Sequence, residues 1–233
     1  MTTPTSTTSS FKPSPGLRIK VCGMREAANV AAVAALQPDF LGFIFYPKSK
    51  RFVADTLDAE LLRQLPDGCR KVGVFVDETP AVVQQQVARY GLDLVQLHGH
   101  ETPEQCAELQ AAGISVIKAF AFDAGFDFDT LRPYAPYCTY FLFDTKGEQP
   151  GGNGTTFDWQ LLQDYPFDVP YFLAGGLDEQ HAGSLATLQL PGLFAVDLNS
   201  RFELQPGLKD DLRLARMFRS LRPIFPSPAS PAA

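Results

Sequence analysis

Ile19-Lys20-Val21-Cys22-Gly23-Met24-Arg25 is the stretch that decides the fold. Residues 18–21 alternate polar and apolar side chains before Cys22, and Gly23 breaks the run just ahead of an alanine-rich segment of helical pattern. Alternation of period two marks a half-buried strand, and a glycine between it and a helical repeat marks the hand-over. Cys22 is therefore expected at the carboxyl end of a strand, beside the start of a helix. The partial positive charge of a helix N-terminus favours a thiolate, the form that removes a proton or attacks carbon. Against this, cysteine is among the most buried residue types, and taken alone the thiol reads as packed and inert. Its meaning depends on the rest of the chain.

Moving outward, apolar strand-like runs recur at 17–21, 40–45, 71–76, 94–97, 115–120, 140–143, 171–174 and 194–198. Their starts are about 20 to 30 residues apart, the length of one strand, loop and helix unit, and eight such units close a (β/α)8 TIM barrel. Segments 26–36, 58–65, 81–90, 104–112, 181–188 and 210–221 read as helices. Thr79-Pro80 and Thr102-Pro103 have the form of an N-cap followed by proline at the first helical position, and Gly91 and Gly113 of C-terminal stops. Units five and six are weaker, because 123–137 and 159–165 carry short or broken helical periodicity. An open doubly wound sheet uses the same α/β alternation and differs chiefly in closure, so the pattern alone leaves both.

With 233 residues the chain has room for one large domain, expected over 17–225. The Thr-, Ser- and Pro-rich segment 1–16 and the Pro-, Ser- and Ala-rich segment 226–233 are expected to be disordered tails. Segment 1–16 lacks the basic start and apolar run of a secretory signal, and no apolar stretch is long enough to cross a bilayer. A net charge of −6 argues against nucleic acid as partner and points to a small ligand. Cysteines 22, 69, 106 and 138 form no pair at metal-ligand spacing, so no metal site is expected, and free thiols suit a reducing cytoplasm. No helix shows an all-apolar outer face, and a monomer is expected.

In a barrel the loops that follow the strands share one face, where the chemistry is done. Those positions hold Cys22 after the first strand, 46–51 after the second, Asp77-Glu78 after the third, Gln96 and His98 at the fourth, and Asp144 at the sixth. Gly151-Gly152-Asn153-Gly154-Thr155, Gly175-Gly176 and Asn199-Ser200 follow in the sixth, seventh and eighth loops. Glycine lets a backbone approach an anion closely, and the last two loops commonly cradle phosphate in barrels of this kind.

Taken together, Lys20-Val21-Cys22-Gly23, the run from Gly42 through Tyr46-Pro47-Lys48-Ser49-Lys50-Arg51, Val72-Gly73-Val74-Phe75-Val76, Val95-Gln96-Leu97-His98-Gly99, Asp144 with the Gly151 to Trp159 segment, and Leu173-Ala174-Gly175-Gly176-Leu177 resemble the phosphoribosylanthranilate isomerase family of tryptophan biosynthesis. The likeness spans residues 17–222, with the motifs in family order. It implies a (β/α)8 barrel that carries out the Amadori rearrangement of N-(5-phosphoribosyl)anthranilate to 1-(2-carboxyphenylamino)-1-deoxyribulose 5-phosphate without a cofactor. Opening an aminoaldose ring needs an acid at the ring oxygen, and the resulting iminium needs a base at C2.

By position in the motifs, the resemblance makes Cys22 the base, Asp144 the acid and Arg51 the receiver of the anthranilate carboxylate. It makes Gln96 and His98 a polar pair facing the substrate, with His98 secondary. Gly154, Gly175, Gly176, Asn199 and Ser200 fall to the phosphate. An aspartate before Thr145 would ordinarily cap a turn, and only the motif assigns Asp144 to chemistry. Lys48 and Lys50 read as solvated loop charges, and Asp197 as orienting its neighbours.

One departure is prominent. The family's eighth loop commonly reads Ser-Ser-Gly-Val-Glu, whereas here it is Asn199-Ser200-Arg201-Phe202-Glu203, so the glycine is missing and Arg201 either adds a charge-assisted contact or points to solvent. Sister isomerases of histidine biosynthesis carry an aspartate where this chain has Cys22. A phosphosugar-binding barrel without activity would need neither proton-transfer group, and a redox protein would need a resolving cysteine near Cys22.

Overall fold

The computed structural model describes residues 16–53, 57–145 and 158–222. Eight parallel strands run β1 Arg18–Val21, β2 Phe40–Ile44, β3 Arg70–Phe75, β4 Leu94–Leu97, β5 Ser115–Phe122, β6 Tyr140–Thr145, β7 Tyr171–Ala174 and β8 Leu193–Leu198. Each pairs with the next, and β1 pairs in parallel with β8, which closes the barrel and removes the open-sheet alternative. Helices α1 Ala27–Ala34, α2 Ala59–Arg63, α3 Pro80–Tyr90, α4 Pro103–Ala111, α5 Ala182–Thr187 and α6 Asp211–Leu221 surround it. The expected tails, Gly16 apart, lie outside the described residues, as do Gly154 and the rest of 146–157.

Local chemistry accounts for the helix ends. The Thr79 hydroxyl accepts from the Val82 amide, and Thr102 forms a reciprocal capping box with Gln105. Gly91 ends α3 in the left-handed region at φ 59°. Units five and six carry no α-helix among the described residues: the chain there makes 3-10 turns at Phe128–Leu131 and Trp159–Asp164. Their apolar residues, Leu131 and Leu162, still pack into the outer core. A short antiparallel hairpin, β9 Glu203–Gln205 and β10 Leu208–Lys209, follows β8 and was not visible in the periodicity.

Because strand side chains alternate between faces, each strand sends every second residue into the barrel. Toward the strand starts these are Phe40, Val72, Leu94, Ile117, Tyr140 and Phe172, which form a core of their own inside the ring. Edge-on aromatic contacts close this end, Phe40 to Phe172 at 5.1 Å and Tyr140 to Phe172 at 5.3 Å. The larger core fills the layer between strands and helices. Among the described residues no helix is long and apolar enough to cross a membrane, and no group of three or more His, Cys, Asp or Glu could hold a metal ion.

Candidate active site

The same alternation carries the inward columns up to the other end of the ring, where apolar residues give way to polar ones. Lys20 is followed by Cys22, Leu94 by Gln96 and His98, Leu142 by Asp144, and Ala195 by Asp197 and Asn199. Cys22, Gln96, His98, Asp144, Asp197, Asn199, Ser200 and Arg201 all line one cavity of about 300 Å³, walled otherwise by Ile44, Tyr46, Ser49, Val74, Val76, Ala174 and the Gly175-Gly176-Leu177 turn. That volume is at the small end for a ligand site.

Cys22 extends the β1–β8 ladder, its amide donating to Leu198 O at 2.9 Å, while the Gly23 and Met24 amides both donate to Gly42 O. Two glycines make the approach possible. A Cβ on Gly42 would come within 2.8 Å of the Cys22 sulfur, and Gly23, at φ 77°, leaves space that Arg51 Cδ and Asn199 Oδ1 occupy. The thiol is buried, and burial pushes it up, above its ordinary value, although Lys20 pulls the other way. This differs from the thiolate bias read from the sequence: α1 begins only at Ala27, and the cations near the sulfur are Lys20 and Lys209 rather than a helix end.

Beneath the thiol, Lys20 Nζ donates to Asp197 Oδ2 at 2.6 Å, with both side chains buried. Burial raises the Asp197 carboxyl; for Lys20 burial acts downward, but attraction to Asp197 and the Cys22 sulfur outweighs it and holds the ammonium charged. Across the cavity, Gln96 Nε2 approaches His98 Nδ1 at 2.7 Å, and His98 Nε2 lies 3.4 Å from Asp144 Oδ2. With the amide nitrogen as donor, Nδ1 accepts and the ring hydrogen sits on Nε2, facing the carboxyl. The Asp144 side chain is 44% exposed, open to whatever fills the cavity.

Arg51 is not part of the cavity wall. Its Nε and Nη2 donate to the two oxygens of Glu203 at 2.8 and 2.6 Å, a fork-to-fork pair, and its side chain is 22% exposed. Glu203 also accepts from Lys209 Nζ at 2.7 Å and from the Gly207 amide, and Lys209 Nζ donates to Asn199 Oδ1 at 2.7 Å. One oxygen of Asn199 is thus tied to the scaffold rather than offered to a ligand. Burial alone would raise Glu203, but the bonds from Arg51, Lys209 and Gly207 outweigh it and bring it down to about 2.

The sequence missed Glu203, Lys209 and Lys20. Lys20 carried a signal, a charge at an inward position of a strand, and Glu203 stands at the glutamate of the family's eighth-loop motif; Lys209 carried none, since it meets Glu203 only through the hairpin.

A closed ring of parallel strands with a thiol, a carboxyl and an imidazole at the carboxyl ends defines a (β/α)8-barrel enzyme equipped for proton transfer. The family described as N-(5'-phosphoribosyl)anthranilate (PRA) isomerase matches residues 19–220, and the chain belongs to that family. It is 43% identical over 209 residues to the N-(5'-phosphoribosyl)anthranilate isomerase of Parabacteroides distasonis, covering 87% of this chain and 92% of the relative. Among solved structures it is similar to phosphoribosyl anthranilate isomerase from Thermotoga maritima, at 32% identity and TM-score 0.73, covering 88% of this chain and 98% of that one. It is likewise similar, at 31% identity and TM-score 0.72 over 88% and 98% of the two chains, to a phosphoribosyl anthranilate isomerase in complex with reduced 1-(o-carboxyphenylamino)-1-deoxyribulose 5-phosphate.

Proposed function

We propose that the chain isomerises N-(5-phosphoribosyl)anthranilate to 1-(2-carboxyphenylamino)-1-deoxyribulose 5-phosphate in tryptophan biosynthesis. The observation that carries this is that Cys22 and Asp144 open onto one cavity from facing sides of the ring. Asp144, 3.4 Å from His98 Nε2, gives a proton to the ring oxygen as the C1–O bond breaks and the aniline nitrogen forms an iminium. Cys22 as thiolate takes the C2 proton, and the electron pair moves toward nitrogen to give an enolamine. Protonation at C1 and loss of the C2 hydroxyl proton complete the ketone. Protons lost and gained balance, and no redox partner is called for.

The buried thiol must be ionised for this, and the Lys20 ammonium in contact with it supplies the stabilising charge. Arg51 receives the anthranilate carboxylate with Nη1, the guanidinium nitrogen that Glu203 does not hold. Gly175, Gly176, Asn199 and Ser200 receive the phosphate, joined by Gly154 from outside the described residues. Gln96 holds His98 in its tautomer. On this reading the chain acts as a monomer, and four free cysteines suit the cytoplasm.

The test is an assay of the purified protein on freshly made phosphoribosylanthranilate, following loss of substrate fluorescence beside a Cys22→Ala control. Turnover that depends on Cys22 supports the function; absence of turnover, or equal turnover in the control, removes it.

A further inference from the structure

The wall of the cavity contains five ionisable side chains besides Cys22: Tyr46, His98, Asp144, Asp197 and Arg201. Asp197 is neutralised by Lys20. The other cations close by are also committed, since Arg51 and Lys209 both pair with Glu203. Among the described residues Arg201 is the cation of this wall that has no acidic partner. It is exposed, and it occupies the middle of a 3-10 turn, Ser200–Phe202, that the scaffold fixes on both sides. Phe202 is fully buried, its amide donates to Asn199 O, and its carbonyl accepts from the Asp210 amide. The neighbouring rim is the turn after β7, where Gly175 and Gly176 have φ of 100° and 63°. A Cβ built on Gly176 meets no atom within 4 Å, so there is open space in front of that backbone.

An unpaired guanidinium on a fixed turn, beside open space and glycine backbone, is a site for a dianion with several acceptor oxygens. Resting on the function proposed above, we propose that Arg201 grips the substrate phosphate by a charge-assisted contact and is the electrostatic attractor for the substrate. The attraction matters because the whole chain carries a net charge of −6 and the substrate is itself an anion. A backbone-only cradle would hold phosphate with little dependence on salt, whereas a solvent-facing guanidinium is screened over about 8 Å at physiological ionic strength. The structure thus assigns this chain a salt-sensitive KM that resides in one side chain.

The experiment compares the full chain with Arg201→Ala and Arg201→Lys. KM and kcat for phosphoribosylanthranilate are measured from low to high ionic strength, and binding of inorganic phosphate is titrated calorimetrically without turnover. In Arg201→Ala, KM should rise about tenfold or more at low salt while kcat moves far less. The decline of kcat/KM with salt should flatten, phosphate affinity should fall by a similar factor, and Arg201→Lys should keep the salt dependence. A KM, salt dependence and phosphate affinity unchanged in Arg201→Ala overturn the assignment. If the protein fails to isomerise this substrate yet binds phosphate through Arg201, the proposed function falls and the phosphate contact stands.

Discussion

Lys20 and Asp197 are register partners across the seam where β1 meets β8, and Lys20 Nζ donates to Asp197 Oδ2 at 2.6 Å with water shut out. The pair that spans the closure of the barrel therefore lies one inward step below Cys22 and touches its sulfur. A buried ion pair is weak support for stability, since desolvation opposes the Coulomb attraction, but loss of one partner leaves an uncompensated charge.

Lys20→Met is expected to destabilise the fold by roughly 3 kcal/mol or more, for that reason. Because Lys20 favours the thiolate, its removal should also move the ascending limb of the kcat/KM pH profile to higher pH. Lys20→Met with Asp197→Asn should recover much of the stability, measured by urea unfolding, and still leave the limb displaced. A limb that stays in place in both variants would show the pair to be structural only.

Cys22→Ala and Asp144→Asn should each lower kcat about 100-fold or more with modest effects on KM, as expected when one general base or acid is lost. Steady-state kinetics with the purified variants check this, and near-normal turnover in either variant contradicts its assigned role. Since burial holds the Cys22 thiol above its ordinary value, iodoacetamide inactivation of the wild type should keep accelerating through pH 9.

Arg51→Ala should act mainly on KM, because the anthranilate carboxylate takes no part in the bond changes. The guanidinium is already forked onto Glu203, so the variant also leaves that carboxylate with Lys209 and the Gly207 amide alone. Inhibition by free anthranilate separates the effects: it should weaken in parallel with KM, and unaltered inhibition rules out the carboxylate contact.

Glu203 sets an acid limit on stability. Its carboxyl is brought from 4.5 in its ordinary state to about 2 in the fold, so between these values the unfolded chain binds a proton that the folded chain does not. Its stabilisation is fully present above about pH 4.5 and is lost as pH falls toward 2, a contribution of ~3 kcal/mol. Urea midpoints measured from pH 7 to pH 2.5 should decline in the wild type. Glu203→Gln should start lower at pH 7 and decline less over the acid range; parallel curves would remove Glu203 as the source.

Much of the architecture was legible because local signals agreed. Thr79 and Thr102 cap the helices they were read to cap, and all eight strands lie where the apolar runs place them. The helical turns of units five and six were illegible because 3-10 turns of four and six residues have no amphipathic period to detect. Of the site, Cys22, Gln96, His98, Asp144, Asn199 and Ser200 were named from the sequence and do share one cavity.

The sequence by itself determined the order of the elements, the inward parity of each strand and hence which side chains could face a common mouth. These depend on periodicity and capping, which act over a few residues. Only the tertiary structure decided the protonation setting and the charge balance of that mouth. Lys20 meets Asp197 because the ring closes, and Arg51 meets Glu203 because the β9–β10 chain folds back beside it. Coulomb pairing and desolvation depend on distance and burial in space, and neither is written in the spacing of residues along the chain.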